Sequence, residues 1–310
     1  MKKIFALLFS VSLMLGLFTF EDQASASETA RDDYTFGIIE LKLLAYLGSQ
    51  GLNNEIGSPE FNNYVMNQLD SDADQVLANR SDYNLICAYL AEYAYRLSVY
   101  ESDENNFGVP FNMESVNSST LGEIKNEIQA QESPVLESGS IGTMATGTIN
   151  LANARAYAER YYSSYNRYYP AYSNDCTNFV SQILLNSGKN MVMSTSTAPL
   201  ISDNYYWYIR SLPNYAWSRS ASWTVVTDLY SHLVRTQSSY SSTSKTNIIN
   251  NAKSGDVIQF KKAGADRYSH TMWIYEKQSS NLLLSGHTND YLKRSFNAIT
   301  SYSTYRIIKM

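Results

Sequence analysis

Cysteine and histidine are scarce in this chain, with two of the first and three of the second among 310 residues. Cys87 and Cys176 lie far apart, and His232, His270 and His287 have no spacing from them or from each other that matches a zinc arrangement. No metal site is therefore expected. There is no Gly-x-Ser-x-Gly elbow, no glycine-rich phosphate loop and no internal repeat. Charge is also sparse: charged residues make up 17% and the net charge is −5, with no basic stretch, which argues against nucleic acid as a partner.

What is plentiful is tyrosine, 26 residues, accompanied by Ser, Asn and Thr. A surface built from these rather than from ion pairs suits sugars and wall polymers. The chain opens with Lys2 and Lys3, an apolar run from Ile4 to Phe20 and then Ala24-Ser25-Ala26. That order is an export signal with a small-residue cleavage site, so residues 1–26 are read as a secretion signal peptide. Ser10, Ser12 and Gly16 break the apolar run, which makes an uncleaved anchor the weaker reading. The absence of a cysteine at the cleavage site argues against a lipoprotein. The mature chain is expected to be secreted, extracellular or cell-wall associated, without a membrane span. In an exported protein two cysteines suggest one disulfide. Cys87, however, falls within an apolar helical stripe, and burial as a free thiol is the preferred reading.

The apolar spacing divides the chain. Residues 27–131 have helical period, with segments from Phe36 to Leu47, Pro59 to Leu69 and about Ser81 to Tyr100; Ile86, Cys87, Leu90, Ala94 and Leu97 form one stripe. Residues 132–149, with Pro134, Gly139, Gly142 and Gly147, read as a linker. Residues 150–310 begin with helices from Leu151 to Tyr165, from Cys176 to a stop at Gly188, and from Val225 to Val234. A Ser, Thr and Asn-rich loop then runs to Ala252. Strands follow at Asp256–Lys261, His270–Glu276, Leu282–His287 and Tyr305–Lys309. Helices followed by an antiparallel sheet predict an α+β fold.

Cys176 stands where a loop meets a helix, and the unpaired N–H groups of a first turn favour a thiolate there. His270 opens a strand on which it shares a face with Met272 and Ile274, while Thr271, Trp273 and Tyr275 face the other way. His287 ends the next strand, from which antiparallel pairing would bring it beside His270 as an orienting group. Each has an ordinary alternative: a small buried cysteine, a strand-end histidine bonded to backbone, and a turn histidine. His232 falls off the Val226, Leu229, Leu233 stripe and is read as a surface residue.

Several ordered blocks carry a resemblance. They are Asn153-Ala154-Arg155-Ala156-Tyr157-Ala158, Asp175-Cys176-Thr177-Asn178-Phe179-Val180-Ser181-Gln182, Ser254-Gly255-Asp256-Val257-Ile258-Gln259-Phe260, Ser269-His270-Thr271 and Gly286-His287-Thr288. Together they resemble the "Putative amidase domain" family of Gram-positive bacteria, related to NlpC-type and other papain-like peptidases, over roughly Leu151 to Met310. The resemblance implies a papain-like α+β domain with Cys176 as nucleophile, His270 as base and His287 as orienting group. It further implies that Asp175 binds a free amine of the substrate, that Tyr168 or Tyr169 assists near the oxyanion, and that no cofactor takes part. Thr177 stands where those relatives usually have serine, and the long interval between the histidines leaves Asn289 or Asp290 open as the third member.

The implied activity is a secreted cysteine amidase or peptidase acting on peptidoglycan stem peptides or other extracellular peptides. The alternative is a non-catalytic wall or peptide-binding protein on the same fold. The N-terminal helices are open to wall binding, inhibition or a protein partner.

Overall fold

The computed structural model describes residues 30–133, 149–213 and 216–310. The export signal, and all but the ends of the segment read as a linker, lie outside the described residues. The first part is helical: α1 (Phe36–Ser49), α2 (Pro59–Ser71), α3 (Tyr83–Ser102) and α4 (Leu121–Glu132). Their starts are chemically marked. Ser58 accepts from the Phe61 amide with Pro59 in the first turn, and Thr120 and Glu123 form a capping box. The stripe on α3 is the middle of a core formed with Phe36, Leu43, Phe61, Val65, Leu121 and Ile124. Tyr89 and Tyr93 on its other sides are buried as well, so α3 is surrounded rather than laid on a surface.

The second part carries α5 (Leu151–Tyr161), α6 (Cys176–Asn186), α7 (Val226–Leu233) and α8 (Lys245–Asn251). A small sheet joins β1 (Leu200–Ile201), β2 (Ile209–Ser211) and β3 (Trp217–Ser220) in the order β1-β3-β2, with β1 and β3 parallel. The main sheet contains β4 (Ser239–Ser242), β5 (Val257–Lys261), β6 (His270–Lys277), β7 (Leu282–Gly286), β8 (Tyr291–Ser295) and β9 (Thr304–Ile308). Its order is β4-β9-β5-β6-β7-β8, antiparallel throughout. The chain is thus a mixed helix and sheet fold of α+β character.

Both faces of this sheet are covered. Val257, Trp273 and Tyr275 pack with Phe179, Val180, Ile183 and Leu184 of α6. Ile258, Phe260, Met272 and Ile274 pack on the opposite side with Ile248 and Ile249 of α8 and with Tyr302. This explains why β6 reads as a nearly continuous apolar run. The edge strands β4 and β8 are polar, as solvent-facing edges are, and the apolar pattern passes over both.

The N-terminal helices are joined to the sheet by buried polar contacts. Glu92 of α3 pairs with Arg267 at 2.7 Å, both 1% exposed. Asp70 of α2 accepts from Arg294 at 2.7 Å, Asn289 at 2.9 Å and the Tyr291 hydroxyl at 3.0 Å. Asp72 pairs with Lys262, and Ser102 Oγ bonds Thr224 Oγ1 at 2.6 Å.

Candidate active site

The loop before α6 and the first turn of that helix form a network in which each residue of the Asp-Cys-Thr-Asn-Phe run has its own partner. Asp175 Oδ1 accepts from the Tyr172 amide at 3.2 Å and from Asn178 Nδ2 at 2.8 Å, and Oδ2 meets His287 Nδ1 at 2.7 Å. Thr177 Oγ1 donates to Thr271 Oγ1 on β6 at 3.3 Å. Asn178 also donates to the Pro170 carbonyl at 2.9 Å and accepts from Trp223 Nε1 at 2.9 Å. Phe179 lies flat on the His287 ring, 3.8 Å between centroids and 7° between planes.

Cys176 is 1% exposed. Its sulfur lies 3.3 Å from Asn174 Oδ1 and 3.7 Å from Thr177 Oγ1, and the Thr271 backbone N–H faces it. The helix start was expected to favour thiolate, but burial dominates and pushes the thiol up to about 11. The Thr177 hydroxyl and the Thr271 amide act against it, and the Asp175 charge adds to it. Both cysteines are free, so no disulfide joins Cys87 to Cys176.

The two histidines do not meet. His270 lies on the sheet face away from α6, with its ring 5.8 Å from Phe260 and parallel to Tyr302 at 6.3 Å. Its Nε2 is buried without a hydrogen-bond partner. Burial pushes its pKa down to about 4, against the Asp70 carboxylate and together with the Arg294 charge, so the ring is neutral at pH 7. His287 follows Ser285, which pairs with Trp273, and so lies on the α6 side. The expected placement of His287 beside His270 is not what the fold provides, because the two side chains belong to opposite faces.

His287 is spoken for at both ring nitrogens, by Asp175 and by the Tyr161 carbonyl at 2.7 Å. Both ring nitrogens therefore face oxygen atoms at hydrogen-bond distance. Burial first, opposed by His287, Asn178 and the Tyr172 amide, leaves the Asp175 pKa raised. The clamp ties the residue before Cys176 to the end of α5. With both Asp175 oxygens engaged and the residue fully buried, neither is presented to a substrate amine in this state.

Asn289 binds Asp70 rather than either histidine, and Asp290 adopts a left-handed φ of 47°. Tyr168 points to solvent and Tyr169 stacks on Trp223, while Tyr165 meets the His287 ring edge-on at 5.0 Å. His232 is not a surface residue: its Nδ1 lies 3.1 Å and 3.0 Å from the carbonyls of Asn204 and Tyr205, and its ring stacks on Trp207. The segment around β1 to β3 covers the side of α7 that the helical stripe left free.

Sequence reasoning did not single out Asn174 or the α3 residues Ser98 and Glu101, and it gave Thr271 no role at the site. Asn174 Nδ2 donates to Ser98 Oγ at 3.0 Å, and the Ser173 amide donates to Glu101 Oε2 at 2.8 Å. Asn174, next to the Asp175-Cys176 pair, carried the only local signal. A cleft of about 360 Å³ adjoins this loop, lined among others by Tyr100, Glu101, Phe107, Pro170, Tyr172 and Arg219. Among the described residues no group of His, Cys, Asp and Glu is arranged to hold a metal ion, and no helix is long and apolar enough to cross a membrane.

The site thus consists of a helix bearing a cysteine in its first turn, packed on an antiparallel sheet with histidines at two strand ends. The "Putative amidase domain" family model matches residues 148–309, which is more than half of the chain, and the chain belongs to that family. No curated protein and no solved structure matches it.

Proposed function

We propose that this chain is a secreted cysteine amidohydrolase of papain-like, NlpC-related type that cleaves amide bonds in peptidoglycan stem peptides or other extracellular peptides. Cys176 attacks the carbonyl, His270 takes the thiol proton and returns it to the leaving amine, and water hydrolyses the thioester. Amides of the first α6 turn face the oxyanion.

The observation that carries this reading is the place of Cys176. It opens α6 within the family-matched region and presents its sulfur to the Thr271 amide, one residue from His270. A neutral imidazole with an uncommitted Nε2 is what a general base requires, and His270 has both properties. His287, held at both nitrogens, serves instead to fix Asp175 and the start of the helix. Because Cys176 is buried and its thiol protonated, the state described is a resting one, and the dyad forms when the loop opens and His270 turns.

A second reading, a non-catalytic wall or peptide-binding protein, draws on that same burial. The two separate when the purified protein and its Cys176→Ala, His270→Ala and His287→Ala forms are incubated with intact peptidoglycan and stem peptides, with products followed by mass spectrometry. Cleavage that disappears in Cys176→Ala and His270→Ala supports the mechanism. Activity retained in Cys176→Ala refutes it, and loss in His287→Ala alone, with the fold intact, transfers the base to His287.

A further inference from the structure

We infer that Ser98, on α3, sets the protonation state of Cys176 by fixing which end of the Asn174 amide faces the sulfur. The inference rests on the reading of Cys176 as nucleophile and adds its control. Ser98, Asn174 and Cys176 are all buried. The Ser98 hydroxyl donates to the Ala94 carbonyl one turn earlier at 2.8 Å, the usual back-bond of a serine within a helix. Its oxygen can then only accept. Asn174 therefore turns Nδ2 toward Ser98, at 3.0 Å, and its Oδ1 is left facing Cys176 Sγ at 3.3 Å.

A carbonyl oxygen at that position accepts from S–H and repels a thiolate. Two donors oppose this, the Thr177 hydroxyl at 3.7 Å and the Thr271 amide, and neither is bound to Asn174, so both stay in place whichever way its amide is turned. Asp175 on the same turn is a carboxylate, Tyr268 and Tyr302 are phenols, and Val226 is apolar. His270 lies one residue from Thr271 with its ring turned toward Phe260 and Tyr302. Without the Ser98 acceptor, the Asn174 amide is free to rotate by half a turn and offer its N–H groups to the sulfur, which stabilises the thiolate. Glu101 accepts from the Ser173 amide and so also holds α3 against this loop, while Ser102 ties the helix to Thr224, outside the loop.

The test uses the full chain with Cys87→Ala, so that Cys176 is the one thiol, and follows iodoacetamide alkylation against pH by intact mass. Ser98→Ala and Asn174→Ala are expected to lower the alkylation midpoint, and each pH unit of fall gives about tenfold more thiolate at neutral pH. Ser102→Ala, which loosens the helix contact but leaves the Asn174 partner in place, is expected to keep the parent midpoint. An unmoved midpoint in Ser98→Ala overturns the inference, even if the rate rises uniformly, because that reports access rather than protonation. A midpoint lowered equally by Ser102→Ala overturns it as well. Alkylation needs no turnover, so failure of the amidohydrolase reading is seen separately, in the cleavage assay.

Discussion

The pair formed by Glu92 and Arg267 is the most buried link between the N-terminal helices and the sheet, and its loss has a size that the geometry sets. Arg267 Nε meets Glu92 Oε2 at 2.7 Å, Nη1 donates to Gln131 Oε1 at 2.8 Å, and the guanidinium lies 3.6 Å above the Tyr95 ring. Removing one partner of a buried pair typically costs about 3–5 kcal/mol, because the survivor keeps its desolvation penalty. Glu92 retains Arg96 at 2.6 Å when Arg267 is lost, and this places Arg267→Met near the lower end, about 3 kcal/mol. In Glu92→Gln, Arg267 keeps its hydrogen bonds to Gln131 and Thr227, but its carboxylate contact is then Glu127, at 3.7 Å, so a cost of about 4 kcal/mol is expected. Replacing both removes the orphaned charge, and the double variant should therefore cost about 2 kcal/mol less than the sum of the single ones. Guanidinium unfolding of the four proteins, read from midpoint and slope, measures each value. Additive costs, or an Arg267→Met form within about 1 kcal/mol of the parent, would refute the argument.

The remaining predictions concern a buried histidine and a left-handed glycine. Burial, with the nearby Lys189 charge, pushes the His232 pKa down to about 4, although the two carbonyls it meets pull the other way. An unfolded histidine titrates near about 6.5, so the stability this residue contributes is complete above that pH and is lost as the pH falls toward 4. The stability advantage of the parent over His232→Gln should shrink by about 3 kcal/mol between pH 7 and 4, and a constant difference would contradict it. Gly264 has a φ of +76°, and a Cβ there would lie 2.4 Å from the Asn84 backbone oxygen at the start of α3. Gly264→Ala therefore adds a collision with immovable backbone to left-handed strain and should cost about 3 kcal/mol. Gly188→Ala, at φ +103° with open space around its Cβ, should cost about 1 kcal/mol from strain alone. Equal losses in denaturant unfolding would show that the contact with α3 is unimportant.

Where one physical signal dominated, the chain could be read directly. The capped helices α1 and α2, the apolar stripe of α3, the helix opened by Cys176 with its stop at Gly188, and four strands of the main sheet all follow from period and turn chemistry. The helix from Leu151 ends at Tyr161, short of the expected Tyr165, because a tyrosine stripe continues beyond the last hydrogen-bonded turn. The Ser and Asn-rich stretch before Ala252 read as a loop, yet it holds β4 and α8. The first is an edge strand whose Tyr240 alone packs inward, and the second is a short helix that begins at Ser244, which accepts from the Asn247 amide. The small sheet around β3 escaped notice because its strands are two to four residues long, too short for any alternation to emerge.

The candidate site was half legible, and the missing half has one cause. Alternation along β6 correctly placed His270 with Met272 and Ile274 and set Thr271 with Trp273. It could not say which of those faces receives α6, since both are apolar and both are buried. That single choice decides the site: α6 takes the Trp273 face, so Thr271 meets the turn bearing Cys176, His287 joins Asp175, and His270 is turned toward Tyr302 and the charge of Asp70. Asp70 belongs to α2, and Ser98, the partner of Asn174, belongs to α3. Both halves of the proposed dyad thus answer to helices outside the family-matched region. A chemical account of Cys176 and His270 drawn from residues 148–309 alone omits the groups that set their protonation.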